Sequence, residues 1–298
     1  MAPPTRRLLA VAVIGSVLVL LVAVGGYLAI RSLQPRPVAA PPPPPGCQAG
    51  TGGSAISLEG DQAAIAATIA GVAARYRLPR QALIIAFATA LQESQLQNLD
   101  YGTLDSVGVF QQRPSQGWGT TAELEDPVYA TTKFFTALVH VPGYTKMPID
   151  QAAQDVQHSA DQDAYEQWTD VAALLAGYFT GKPAGGVSCW FSAPGRADLA
   201  GAEKGLTTTF GPAGRGGVLS GITTERSVKK KSGGSAAVVH VQRDAGWVVA
   251  SWLVAYAQQY DLSEVRYAGY EWRASDGSMG WQRDSPAPGQ ARADVVAS

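Results

Sequence analysis

Residues 86–119 read AFATALQESQLQNLDYGTLDSVGVFQQRPSQGWG, and the fold is decided by how that stretch is read. It begins as the end of an apolar helix and turns polar at Gln92-Glu93-Ser94. A loop of Gly, Asp, Ser and Asn then leads to Ser106-Val107-Gly108-Val109-Phe110-Gln111. Leu83, Ile84, Ile85, Phe87 and Leu91 leave the helix apolar on nearly every side, which predicts burial. Glu93 stands where the apolar run stops. Partial desolvation raises the pKa of such a carboxyl, and the negative end of the helix dipole pushes the same way. A Glu kept protonated near neutral pH can donate a proton to a glycosidic oxygen. The same residue could also be an ordinary helix-end Glu bonded to a loop.

Outward from this stretch the chain reads as helices. Ile65, Ile69, Val72 and Tyr76 recur at helical spacing. Pro79 suits the start of the helix that ends at Glu93. Asp126-Pro127 is a cap followed by a first-turn proline, with Phe134, Phe135, Leu138 and Val139 as the apolar side behind it. Ile149, Ala152 and Val156 mark a short helix. Asp161 is expected to cap a last one, with Tyr165, Trp168, Val171, Ala172 and Leu175 on one face. With no strand alternation in sight, residues 61–182 are expected to form an all-α domain.

Glu93-Ser94 followed by Ser106-x-Gly108-x-x-Gln111 resembles the signature of lytic transglycosylases and goose-type lysozymes, in the lysozyme-like superfamily. Val109-Phe110 stands where the family carries Leu-Met. The resemblance covers roughly Asp61 to Thr180. It implies a lysozyme-like fold and cleavage of peptidoglycan glycan strands by one Glu acting as acid and then base. It implies Glu93 as the catalytic residue, with Ser94 orienting it and Gln111 helping to hold the sugar. The loop QQRPSQGWG adds Gln112 and Trp118, amides and an aromatic face that suit a sugar or, equally, an ordinary loop. The family's later Ala-Tyr-Asn motif is missing; Gln157-His158-Ser159 and Tyr165 are the nearest candidates. Asp100 and Asp105 are read as turn formers rather than as the second carboxylate a hydrolase needs. A non-catalytic wall-binding or scaffold protein that keeps the groove is the alternative.

The flanks set the expected topology. Residues 8–30 carry no charge, and about 20 apolar residues span a bilayer. Arg6 and Arg7 precede them, which favours a cytoplasmic N-terminus. The expectation is therefore a single-pass transmembrane helix over residues 1–30, with the domains behind it extracytoplasmic. Signal cleavage near Ala23-Val24-Gly25 and secretion is the alternative. Residues 31–60 read as a Pro-rich linker, either a stiff spacer whose proline segment reaches on the order of 50 Å or a disordered tether. Cys47 and Cys189 flank the helical domain and read as a disulfide outside the cytoplasm, or as two buried thiols.

After a Gly/Pro/Ala-rich linker at 183–217, residues 218–285 read as a small α+β module, with 286–298 as a flexible tail. Strands are expected at Ala236–Val241 and Glu264–Trp272 around a helix at Gly246–Tyr260. The module weakly resembles D-Ala-D-Ala carboxypeptidases, but SGGSAAVVHV lacks their first His and has His240 in place of Asp. His140, His158 and His240 are the chain's three histidines, too few nearby ligands for zinc. No metal or cofactor is expected. Lys229-Lys230-Lys231 reads as a solvated loop. The formal net charge of -1 gives no argument for nucleic acid. The expected partners are peptidoglycan strands and the membrane.

Overall fold

The computed structural model describes residues 5–33, 43–51, 55–157, 164–192, 195–226, 235–242, 244–284 and 294–298. The chain divides into two units, 1–43 and 44–298.

In the first unit, helix α1 runs over Thr5–Leu33. Among the described residues no helix is long and apolar enough to cross a membrane, which corrects the transmembrane anchor expected there.

The second unit is built around α3 (Arg80–Ser94), buried from Ala82 to Leu91. It packs against α2 (Gly60–Arg75), α5 (Pro127–Leu138), α6 (Ile149–Gln157) and α7 (Thr169–Phe179), and α5 is preceded by the short α4 (Thr121–Leu124). Local chemistry explains the ends. Asp126 accepts hydrogen bonds from the amides of Val128 (2.8 Å) and Tyr129 (3.3 Å), with Pro127 in the first turn. Gln95 and Leu96 both take left-handed φ, +55° and +60°, which stops α3 in the manner of an αL cap. Leu96 tolerates that backbone because its side chain is fully buried. Tyr165 lies just before, and Trp168 within, a 3-10 turn, Glu166–Trp168, rather than on α7. Asp161, the expected cap, lies outside the described residues. Tyr76 and Val139, expected inside, are exposed.

The expected architecture, an all-α domain followed by one small α+β module, is corrected: the described residues are mixed α/β, 49% helix and 16% strand, with two antiparallel sheets, the first of them built from segments on either side of residues 61–182. The first sheet, ordered β2-β1-β3, joins β1 (Gly46–Ala49), β2 (Ile56–Leu58) and β3 (Val187–Trp190). All three strands come from segments read as linkers. Strands of three or four residues are too short to show alternation. Cys47 and Cys189 face each other across β1 and β3 and are joined by a disulfide.

The expected second linker also contains α8 (Leu199–Phe210), capped by Asp198, which accepts from the Gly201 amide at 2.9 Å. This helix crosses α2 at Gly71, where a Cβ would lie 2.5 Å from Thr209 Cγ2. Glycine is required at that crossing.

The second sheet, ordered β4-β5-β9-β6-β7-β8, comprises β4 (Leu219–Arg226), β5 (Ser235–Val241), β6 (Glu264–Tyr267), β7 (Tyr270–Arg273), β8 (Gln282–Arg283) and β9 (Asp294–Ala297). β9, from the expected tail, inserts between β5 and β6, with Val296 opposite Val238 and Ala297 opposite Val265. Helix α9 (Gly246–Ala255) packs on this sheet and also on α2. Tyr256, just past its end, shares a 2.8 Å hydroxyl hydrogen bond with Thr68 of α2. Residues 44–298 therefore share one continuous hydrophobic core.

Candidate active site

Helix α3 delivers Glu93 to the rim of the core, half-buried one residue before the helix ends. The Tyr165 hydroxyl donates to Glu93 Oε1 at 2.8 Å. Tyr165 is itself 1% exposed, so the phenol is held in place by packing. Gln157, at the end of α6, also hydrogen-bonds the Glu93 side chain, and its Nε2 donates to the Phe110 carbonyl at 2.7 Å. Burial raises the pKa of Glu93 above the ordinary glutamate value. The bonds from Tyr165 and Gln157 favour the anion and offset part of that rise. The carboxyl is thus pushed toward the neutral acid without being stripped of partners for its charged form.

The turn after the helix is held from beneath by Ser94. Its hydroxyl donates to the Val109 carbonyl at 2.7 Å, with Ala90 O as a second acceptor at 3.1 Å, and accepts from the Gln97 amide at 3.3 Å. Ser94 is buried; it staples the 106–111 turn to α3, and these hydrogen bonds all go to the backbone. Gly108 takes φ +77°, and a Cβ there would collide with the Leu124 carbonyl. The glycine of the Ser106-x-Gly108 motif is therefore a backbone requirement.

The amides are spent mostly within the turn. Gln111, at φ +47°, accepts from Ser106 Oγ at 3.0 Å and donates to the carbonyls of Tyr101 (3.1 Å) and Gly108 (3.2 Å). Gln112 is 2% exposed; its Nε2 donates to Ala130 O at 3.4 Å, and its Oε1 is buried with no hydrogen-bond partner among the described residues. Trp118 packs partly buried against the core, its carbonyl accepting from the Tyr129 hydroxyl at 3.4 Å. Gln111 and Gln112 thus shape the loop, whereas Tyr165 meets Glu93 directly.

Asp105 is committed elsewhere. Its Oδ1 lies 2.6 Å from Arg113 Nε and 3.0 Å from Ser115 Oγ, and its Oδ2 accepts from the Ser115 amide at 2.8 Å. The Arg113 guanidinium, followed by the two Ser115 bonds, holds this carboxyl well below the usual carboxylate range. It is a loop tie. Asp100 is exposed.

One contact near Glu93 escaped the sequence reading, the Gln92–Trp168 contact described below; Gln157 was read there only as a candidate for the missing Ala-Tyr-Asn motif. His158 and Ser159 lie outside the described residues, as do Lys229–Lys231. A cavity of about 310 Å3 lies away from Glu93, walled by the disulfide, Glu59, Asp61, Trp190 and Gln258 among others. The geometry around Glu93 has the clearer chemistry, because it joins an acid of raised pKa to oriented donors. Among the described residues no group of three or more His, Cys, Asp or Glu is arranged to hold a metal ion. Compared with known proteins, the chain matches no protein-family model and no curated protein.

Proposed function

We propose that the protein cleaves peptidoglycan glycan strands, with Glu93 as general acid and then general base. The observation that carries this reading is the Glu93 carboxyl itself, raised by burial at the end of α3 and met at 2.8 Å by the Tyr165 hydroxyl. The neutral carboxyl gives its proton to the glycosidic oxygen as the bond from that oxygen to C1 breaks. The resulting carboxylate, favoured by Tyr165 and Gln157, then takes a proton from the sugar's own 6-hydroxyl. That oxygen attacks C1 and closes an anhydro ring, returning Glu93 to its acid form. Asp105 supports a single-carboxylate route, because Arg113 and Ser115 occupy it. The Cys47–Cys189 bond supports a site of action outside the cytoplasm.

The test is zymography on cell-wall gels, wild type beside Glu93→Gln, with mass spectrometry of the released glycans. Wild type should clear the gel and leave anhydro ends, and the variant should lose about 10²–10⁴-fold in rate. Cleavage retained in Glu93→Gln refutes the assignment. No cleavage by wild type on any wall substrate moves the protein to the wall-binding or scaffold class. Reducing ends alone move it to the hydrolases.

A further inference from the structure

We infer that Gln92 is a positioning residue that acts on Glu93 through Tyr165, by clamping the turn that carries the phenol. This rests on the reading of Glu93 as the proton-transferring group. Tyr165 directly precedes the 3-10 turn Glu166–Trp168, and a turn of three residues has little stability of its own. Two side chains of that turn converge on one atom of α3. Trp168 Nε1 donates to Gln92 Oε1 at 2.7 Å, and Gln167 Nε2 donates to the same oxygen at 3.1 Å. Gln167 Nε2 also reaches Ala164 O at 3.2 Å, and the Trp168 amide reaches Tyr165 O at 3.1 Å. The turn is thereby closed on itself and pinned to the helix.

Gln92 and Glu93 are consecutive on a buried helix, so the clamp and the acid move as one body. Tyr165 and Trp168 belong to one short turn, so the phenol and the clamped indole move as another. Hydrogen bonds at two points join these bodies, the pair that meets at Gln92 Oε1 and the phenol at Glu93. Loosening the first releases the position of the second, and a hydrogen bond weakens steeply as its distance and angle drift. The phenol stabilises the anion of Glu93. Gln92 therefore helps set how readily one carboxyl serves in both its neutral and its charged form, which an acid that becomes a base within one turnover requires.

The experiment follows the Glu93 carboxyl by NMR in the full-length protein labelled with carbon-13 glutamate, assigned by its loss in Glu93→Gln, with no substrate present. Tyr165→Phe should move the titration midpoint further up, because a bond favouring the anion is gone. Gln92→Ala and Trp168→Phe should move it in the same direction, each breaking the clamp from one side. Gln92→Ala added to Tyr165→Phe should give no further shift. A midpoint left in place by both Gln92→Ala and Trp168→Phe, with native circular dichroism, overturns the inference, as does a shift that adds in full to that of Tyr165→Phe. Because the readout needs no turnover, midpoints that shift as stated in a protein that cuts no wall glycan uphold the inference while the functional reading falls.

Discussion

Replacing Cys47 and Cys189 together by alanine should be among the most destabilising changes in the chain. Both are 4% exposed and sit opposite each other on β1 and β3. Their bond has a sequence separation of 142 residues and encloses every helix from α2 to α7. In the chain-entropy model a loop of that size contributes on the order of 5 kcal/mol by restricting the unfolded chain. Native disulfides typically contribute 2–5 kcal/mol on removal, so about 4 kcal/mol is a working value. Against a total stability of about 5–15 kcal/mol, that is a large fraction. In a unit of this size it corresponds to a fall in Tm of roughly 10–15 °C. β1 then has the three-pair ladder to β2 and the four-pair ladder to β3 to hold it. The assay is guanidinium unfolding of wild type and the double variant, both without reductant. The midpoint should fall, and the slope should rise, because the uncrosslinked unfolded chain exposes more surface. A loss under about 1 kcal/mol with an unchanged slope would refute the argument that the bond acts through the unfolded state.

Three further outcomes are expected. The folded-state pKa of Glu93 lies above its unfolded value, so its contribution is fully present below the unfolded pKa and lost as pH rises through the folded one; Glu93→Gln should match wild type in acid and become the more stable protein toward neutral pH, as read from thermal melts. Asp105→Asn removes the Arg113 pairing of an exposed loop carboxylate and should lower wall cleavage far less than the about 10²-fold or more lost in Glu93→Gln; equal losses would make Asp105 a second catalytic carboxylate. Gly108→Ala places a side chain at φ +77° against the Leu124 carbonyl; it should cost more than about 1 kcal/mol by denaturant titration, and a neutral result would show that the turn yields.

Much of the helical frame was legible in the residues themselves. The apolar run ending at Glu93, the Asp126-Pro127 start and the small α6 all rest on caps and spacings within a few residues. Such signals act over one or two helical turns, so they survive in the bare sequence. The pairing of Cys47 with Cys189 followed from there being two cysteines and was found as such. What tertiary structure alone decided lies at long separation. Tyr165 reaches Glu93 across 72 positions, and Gln92 meets Trp168 across 76. β1, β3 and β9 are four-residue strands that become strands by pairing, with partners as distant as Cys189 for Cys47 and Val238 for Val296. A strand has no hydrogen bonds of its own, and a side chain's pKa is set by what the fold brings beside it. The sequence by itself therefore singled out Glu93 as the carboxyl at the end of the buried helix, the one proposed as the acid. Only the folded chain decided that Ser94 turns inward, that Asp105 is tied to Arg113, and that a phenol stands over Glu93.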